Sequence, residues 1–237
     1  MGRWIPTGCP PLDNVLEGGL KPGELTLIYG EAETGKTSLA IQCSVNSARM
    51  GYKTIFVDAD GTFSLERLSQ ISSQNFDEIL QFLILFTPST FEEQSKLIDD
   101  LEKCVGGDMG LIVFDTITSL YRAEIGGKEE AFKINRELNR QVAMLAQIAR
   151  KFQIPILITS QVRSILTDAG ASAFIEPVAS RVLRYWSTSI IGLFKTSRTG
   201  IIRANVERVY GVEKKITVYL FVGSSGVQEC GRISHMV

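Results

Sequence analysis

Histidine is almost absent from this 237-residue sequence, and its one copy, His235, stands third from the end. Ser-His-Asp triads, Cys-His nucleophile pairs and histidine-ligated zinc all need a histidine held in a cleft. The sequence therefore excludes those classes of site. Cysteine is also scarce: Cys9, Cys43, Cys104 and Cys230 show no C-x-x-C spacing. They are expected to be reduced core or surface thiols, forming neither a metal knuckle nor a disulfide framework.

Long apolar runs are missing as well. Runs such as Phe82–Phe86 fall far short of the ~18 residues that a spanning helix needs. The first residues, Met1–Pro6, contain no apolar segment of a secretory signal. These absences predict a cytoplasmic protein with no membrane role. With 44% hydrophobic residues the chain is not disordered, and its length predicts one domain over residues 1–237, with 231–237 as a disordered tail.

The chain has little net charge, with 25 Lys and Arg against 26 Asp and Glu, but the charge is unevenly spread. From Arg163 to the end there are ten basic and five acidic residues, so the preceding part is acidic. A basic C-terminal third suggests a polyanionic partner. On charge alone, an ordinary solvated surface is the better explanation.

Strand-like and helix-like segments alternate along the first two thirds of the chain, which predicts an α/β fold with a mostly parallel central sheet and helices on both faces. The predicted strands are Leu25–Tyr29, Lys53–Val57, Phe82–Phe86, Leu111–Phe114 and Ile154–Thr159. The predicted helices are Lys36–Met50, Thr90–Cys104 and Glu129–Phe152. Beyond them we predict a mobile loop at Thr167–Ala173, and then antiparallel strands at the C-terminal edge over Ser189–Phe194, Ile201–Val206 and Lys215–Val222.

The segment Gly30–Thr37 matches the phosphate-loop pattern G-x-x-x-x-G-K-[ST] between a predicted strand and a predicted helix. Gly30 and Gly35 are expected to permit backbone angles that a Cβ would forbid, so that loop amides turn towards a phosphate. Lys36 would reach the β- and γ-phosphates of ATP, and the Thr37 hydroxyl would bind Mg²⁺. The predicted nucleotide-binding residues are Gly30, Glu31, Ala32, Glu33, Thr34, Gly35, Lys36, Thr37 and Ser38.

Further polar residues follow predicted strands at the same edge of the sheet, where ligands bind in open α/β folds. Asp115 is interpreted as the Walker B aspartate, a second Mg²⁺ anchor, with helix capping as the alternative. Either Asp58 or Asp60 could hold the attacking water, the other being a turn residue. Gln161 could sense the γ-phosphate or could merely cap its strand.

Four segments together resemble the RecA/Rad51/RadA recombinase superfamily and, within it, the small archaeal RadB group. They are the lead-in Thr7–Leu20, the segment Asp60–Leu68, the strand end and following residues Asp115–Arg122, and Thr159–Val162. The resemblance extends from about Thr7 to Val227. It implies a RecA-like P-loop NTPase core.

The resemblance also implies roles for single residues. Asp60 stands at the place of the family's catalytic glutamate, and Arg67 at that of an arginine packed on the adenine. Arg122 and Lys128 match basic residues of DNA-binding loop one, and Gln161 leads into loop two.

Loop two would span about Arg163–Arg181, so Arg163, Arg181 and Arg184 are further candidates for phosphate contact. The pair Tyr185–Trp186 could stack on bases, with core packing as the better alternative.

Several departures from the family pattern are visible. Asp60 is one methylene shorter than glutamate, which places its carboxylate ~1.5 Å farther from the water and predicts slow hydrolysis. No helix-hairpin-helix domain or filament-joining linker strand precedes the phosphate loop. No proline-bearing ATP cap is found near residues 206–214. Autonomous strand exchange is therefore not expected.

The expected function is that of a weakly hydrolysing ATP-binding accessory or mediator protein in homologous recombination and DNA repair. Its implied ligands are ATP, Mg²⁺ and single-stranded DNA, with double-stranded DNA left open. Its implied protein partners are the main recombinase RadA and a Holliday-junction resolvase. Two alternatives remain at this point: a KaiC-like regulatory ATPase without a DNA role, and an ATP-gated protein scaffold.

Overall fold

A computed structural model describes residues 3–126, 128–165 and 174–230. Nine strands of this described part form one sheet, and two more form a small separate sheet. The strands are β1 (Leu25–Gly30), β2 (Lys53–Asp58), β3 (Leu83–Phe86), β4 (Met109–Asp115), β5 (Ile156–Ser160), β6 (Val162–Ile165), β7 (Phe174–Pro177), β8 (Ser189–Lys195), β9 (Ile201–Val209), β10 (Val212–Gly223) and β11 (Gly226–Glu229).

The order across the large sheet is β11-β10-β9-β8-β1-β5-β4-β2-β3. The six strands from β8 to β3 are parallel, and β9, β10 and β11 are antiparallel. The α/β fold class with a mostly parallel sheet and an antiparallel C-terminal edge is thereby confirmed.

The prediction that Ser189–Phe194 is antiparallel is wrong with respect to its inner neighbour. Strand β8 runs parallel to β1, with Thr26 opposite Ser189, and antiparallel only to β9. A helix over Ser180–Trp186 brings the chain back to the starting end of the sheet, as parallel neighbours require.

Helices cover both faces of the large sheet. They are α1 (Pro10–Val15), α2 (Lys36–Arg49), α3 (Leu65–Ser72), α4 (Phe76–Leu80), α5 (Phe91–Cys104), α6 (Ser119–Glu124), α7 (Lys128–Phe152) and α8 (Ser180–Trp186), with a 3₁₀ turn at Ser73–Asn75. No helix within the described ranges has the length and apolar character needed to cross a bilayer.

The apolar core is divided by the sheet into two layers. In β4, Leu111 and Val113 belong to the layer under α1 and α2, whereas Ile112 and Phe114 belong to the layer under α5 and α7. A strand buried on both faces must be apolar at successive positions, which explains the uninterrupted run that the sequence shows here. Cys9 and Cys43 lie buried and free, and Cys104 and Cys230 reach the surface as free thiols, so the four divide between the core and the surface as expected.

The long predicted elements are present, with small shifts at their ends. Strand β5 begins at Ile156 instead of Ile154 because Pro155 has no N–H and pairs with β4 only through its carbonyl. The short helices α1, α3, α4, α6 and α8 and the hairpin of β6 and β7 were not predicted. The predicted mobile loop at 167–173, the tail at 231–237 and His235 lie outside the described residues.

Candidate nucleotide site and nucleic-acid interface

The phosphate loop joins β1 to α2 at the carboxyl edge of the parallel strands. Gly35 has a φ of +84°, the left-handed conformation that favours glycine. Gly30 does not have a positive φ, so the expectation for its backbone angles needs correcting. Glycine is required at position 30 because a Cβ there would stand 2.4 Å from the carbonyl oxygen of Leu193 in the neighbouring strand.

The loop is also packed against the C-terminal hairpin of β10 and β11. A Cβ on Gly35 would lie 3.1 Å from Val222 and 3.3 Å from Val227. The loop therefore has a close neighbour on this side and cannot take a larger residue at position 35 without moving the hairpin.

Lys36, the first residue of α2, is buried beneath the loop. Its Nζ donates hydrogen bonds to the carbonyl oxygens of Gly30 at 2.9 Å and Glu31 at 2.7 Å. Burial lowers the pKa of Lys36, and the carboxylates of Asp115 and Asp60 oppose that shift. The ammonium group is thus held at the loop, where it can reach a bound phosphate.

Asp115 ends β4 and is fully buried. Its Oδ2 accepts a 2.6 Å hydrogen bond from the Thr37 hydroxyl, and its Oδ1 accepts one from Thr159. Burial raises the pKa of Asp115, and the two hydroxyl donors counteract this. Helix α6 begins only at Ser119, so Asp115 is not placed to cap it.

The adjacent Thr37 and Asp115 oxygens fit Mg²⁺, which binds proteins through one or two hard oxygen ligands together with substrate phosphates. In the described part of the chain, no group of three or more His, Cys, Asp and Glu side chains forms a metal cage. The glycine-bounded loop, the buried ammonium and this oxygen pair fit a magnesium-bound triphosphate.

The structure distinguishes the two aspartates that follow β2. The Asp58 carboxylate accepts hydrogen bonds from the backbone N–H groups of Thr62 at 3.1 Å and Phe63 at 3.0 Å. Asp58 is therefore the turn residue. Asp60 instead accepts hydrogen bonds from the Ser119 hydroxyl and from the amide of Gln161, at 3.1 Å for the latter.

Gln161 follows β5 and links two charged side chains. Its Nε2 donates to Asp60 Oδ2, and its Oε1 accepts from Arg122 Nη1 at 2.5 Å. These two hydrogen bonds connect Asp60, at the edge of the nucleotide site, through Gln161 to Arg122 in α6, the helix that follows Asp115. These partners are side chains, so strand capping does not describe the role of Gln161.

Arg67 on α3 ties three elements together. Its guanidinium donates to Ser38 Oγ in α2 at 3.0 Å. It also donates, at 2.8 Å each, to the carbonyls of Gly223, the last residue of β10, and Ser224, in the turn that follows. Burial lowers the pKa of Arg67. The side chain thus lies beside the first turn of α2, and its contact with an adenine stays a prediction.

Three of the predicted DNA-binding arginines lie together. Arg122, Arg163 and Arg181 line one surface depression of about 740 Å³, which we call the arginine depression. Arg163 pairs with Glu176 across the β6–β7 hairpin at 2.5 Å. Lys128 is the first residue of α7 and follows Arg122 by a few positions in the sequence, but its side chain is not among those that the structure describes.

Arg184 is not brought to the depression. Its guanidinium pairs with Glu207 of β9 at 2.7 Å and lies over the Tyr29 ring at 5.6 Å. Tyr185 and Trp186 also lie elsewhere, packed edge to face with centroids 5.0 Å apart, and Trp186 donates to Asn139 of α7 at 3.0 Å. Packing is the role that the structure gives to Trp186.

Sequence reasoning missed the apolar residues of the arginine depression, of which Phe132 is the most exposed. It lies in α7 and is 72% exposed. At about 100° per residue it points roughly 120° away from the buried stripe that begins at Leu138. An aromatic residue off the apolar stripe of a helix is the signal that could have identified it.

The chain matches known proteins over most of its length. The family model described as Rad51 matches residues 4–216. A DNA repair and recombination protein RadB from Methanococcoides burtonii is 34% identical over 222 residues, which cover 94% of this chain and 96% of the relative. The protein with the same description from Thermococcus kodakarensis is 37% identical over 228 residues, 95% and 99% of the two chains.

A solved structure agrees with these relatives. The protein described as the RadB recombinase superposes with a TM-score of 0.80 at 34% identity, covering 95% of this chain and 99% of that one. The chain therefore belongs to the RadB group of the Rad51/RecA recombinase family.

Proposed function

We propose that this protein binds Mg-ATP, hydrolyses it slowly, and binds single-stranded DNA as an accessory or mediator in homologous recombination and DNA repair. The observation that carries the proposal is the Asp60–Gln161–Arg122 chain of hydrogen bonds. It connects a carboxylate at the nucleotide site to an arginine of the arginine depression. A protein that couples nucleotide hydrolysis to DNA binding requires a connection of this kind between its two sites.

The nucleotide site divides its roles among four residues. Lys36 would neutralise charge on the β- and γ-phosphates, and Thr37 and Asp115 would hold the metal ion. Bound Mg²⁺ supplies charge stabilisation for the transferred phosphoryl group. Asp60 would orient the attacking water, with its own orientation fixed by Ser119 and Gln161.

Arg122 would couple this chemistry to DNA. Its guanidinium bonds a neutral amide oxygen on Gln161, and a phosphate anion is a stronger acceptor for the same donor. A DNA phosphate that recruits Arg122 would release one end of Gln161 and so change the support of Asp60. DNA binding would then alter the rate of hydrolysis.

The family also suggests the setting of this activity. We propose a cytoplasmic protein that works with the main recombinase RadA and with a Holliday-junction resolvase. The relatives carry DNA repair and recombination in their descriptions, which supports the setting. The exposed positive charge of Arg122 and Arg181 supports contact with the DNA itself.

The test is binding to a fluorescent single-stranded oligonucleotide across a salt series, with and without ATP. We expect the Arg122→Ala/Lys128→Ala double variant to bind more weakly than the parent. The plot of log affinity against log salt concentration should also become less steep, by about one to two, because phosphate contacts are lost. The Lys96→Ala/Arg150→Ala double variant removes equal charge from α5 and the distal part of α7 and should keep the parent slope. Equal slopes for all three proteins would show that Arg122 and Lys128 make no phosphate contact, and a parent that binds no oligonucleotide at any salt concentration would reject the DNA role in favour of a KaiC-like ATPase.

A further inference from the structure

The arginine depression contains an apolar surface as well as charge. Phe132 is 72% exposed and Ile125 is 42% exposed, and both line it beside Arg122, Arg163 and Arg181. Soluble proteins commonly expose single apolar residues without consequence. Here an aromatic ring and an aliphatic side chain share one concave surface with three guanidinium groups, which is a combination that a nucleotide matches chemically.

We propose that Phe132, supported by Ile125, is a stacking platform for an unpaired base of single-stranded nucleic acid, while the neighbouring arginines bind the flanking phosphates. The inference rests on the proposed DNA binding and names the part of the strand that Phe132 recognises. Every base has a π-face, so stacking of this kind tolerates any sequence. A base within a duplex has both faces covered by its neighbours and could not use the platform.

Charge in the arginine depression favours phosphates on either side of such a base. Arg122 is bonded to the neutral amide of Gln161, so its positive charge is not cancelled. For Arg181, no ion pair with a carboxylate occurs among the residues that the structure describes. Arg163 is partly neutralised by Glu176, which leaves Arg122 and Arg181 as the stronger phosphate partners.

A second exposed aromatic residue provides a matched control. Tyr185 is 75% exposed, on α8, but it lies against Trp186 and outside the arginine depression. If exposure of an aromatic ring alone promoted binding, both residues would contribute. If the platform depends on neighbouring arginines, only Phe132 would.

The experiment measures the affinity of the full chain for single-stranded oligodeoxythymidylate and for a blunt duplex of equal length. We expect Phe132→Ala to weaken single-strand binding about tenfold, the loss typical of one base–aromatic stack. Duplex binding should change less than about twofold, and the salt slope should stay at the parent value because no phosphate contact is lost. Phe132→Trp should restore single-strand affinity, and Tyr185→Ala should leave it unchanged.

A 2-aminopurine base placed in the oligonucleotide reports the stack directly. Its fluorescence should change on binding the parent and the Phe132→Trp variant, as the base leaves its neighbours for the ring, and should change less on binding Phe132→Ala. The parent could bind DNA while Phe132→Ala reduces its affinity for single strands and duplexes equally, or changes neither affinity. In that case the proposed platform is wrong and the DNA role stands. That result would leave Phe132 as a contact for a protein partner. If the parent binds no DNA at all, the proposed function fails together with the platform.

Discussion

The nucleotide site and the arginine depression lie at the same edge of the sheet but are built differently. In the nucleotide site the charged groups already have partners within the chain: Lys36 bonds two carbonyls, and Asp115 accepts from two hydroxyls. In the arginine depression Arg122 and Arg181 face solvent beside exposed Phe132. The first is preorganised by buried hydrogen bonds, whereas the second depends on charge that salt can screen.

Removing the ammonium group of Lys36 should have the largest effect, and it should act on Mg-ATP binding. We expect Lys36→Ala to weaken Mg-ATP binding by at least about 100-fold, because it removes charge-assisted bonds to two phosphates in a buried site. Calorimetry would measure this loss. Lys21→Ala, on a lysine paired with Glu24 far from the loop, is the control and should bind as the parent does.

The same variant also tests whether the arginine depression binds DNA independently of the nucleotide site. DNA affinity of Lys36→Ala without ATP should equal that of the parent, since the arginines do not depend on the loop lysine. An unchanged calorimetric heat for Lys36→Ala would contradict the assignment of the phosphate loop.

Restoring the longer carboxylate should have the next largest effect. We expect Asp60→Glu to raise the rate of phosphate release about tenfold, because it moves the carboxylate towards the water that it positions, and misplacement of this size can cost ~10²-fold. Asp60→Ala should reduce turnover below the parent. If Asp60→Ala turns over as fast as the parent, Asp60 does not position the water and a scaffold role becomes the better explanation.

Two arginines of α8 should give the smallest and most discriminating difference. Arg181→Ala should weaken single-strand binding about threefold to tenfold and lower the salt slope by about one, because one phosphate contact is lost. Arg184→Ala should leave DNA binding unchanged. It should instead lower the free energy of unfolding by about 1 kcal/mol, as the half-buried Glu207 loses its ion-pair partner and keeps only the hydrogen bond from the Tyr29 hydroxyl.

Thermal unfolding of both variants completes this comparison. A loss of about 1 kcal/mol corresponds to a fall in Tm of about 2–4 °C for a chain of this size. The opposite pattern, with Arg184→Ala weakening DNA binding and Arg181→Ala lowering Tm, would show that the arginine depression is not the interface.

Sequence motifs predicted the phosphate loop, Asp115 and Gln161 because each follows a strand whose end fixes its position. They could not distinguish Asp58 from Asp60, since that choice depends on Ser119 and Gln161, which approach from other elements. Nor could they separate Arg181 from Arg184, which are three positions apart. Arg184 is held by Glu207, a residue of β9 that only the folded sheet places beside it.

The outer parts of the fold were harder to predict than its centre. Buried parallel strands such as β4 are recognisable from composition, but the direction of β8 depends on the crossover through α8, a helix of only 7 residues. Phe132 escaped notice because an apolar residue in a helix normally belongs to the core. The single-domain assignment and the role of Lys128 remain predictions.

The packing of Gly35 against Val222 and Val227, together with the grip of Arg67 on the carbonyls of Gly223 and Ser224, has a mechanical consequence. These contacts join the phosphate loop and α3 directly to the last hairpin, and Gly35 is about 190 positions from Val222 and Val227 in the sequence. A shift of that loop on nucleotide binding would have to displace Val222 and Val227, so it would reach β10 and β11, the two outermost strands on that side of the sheet.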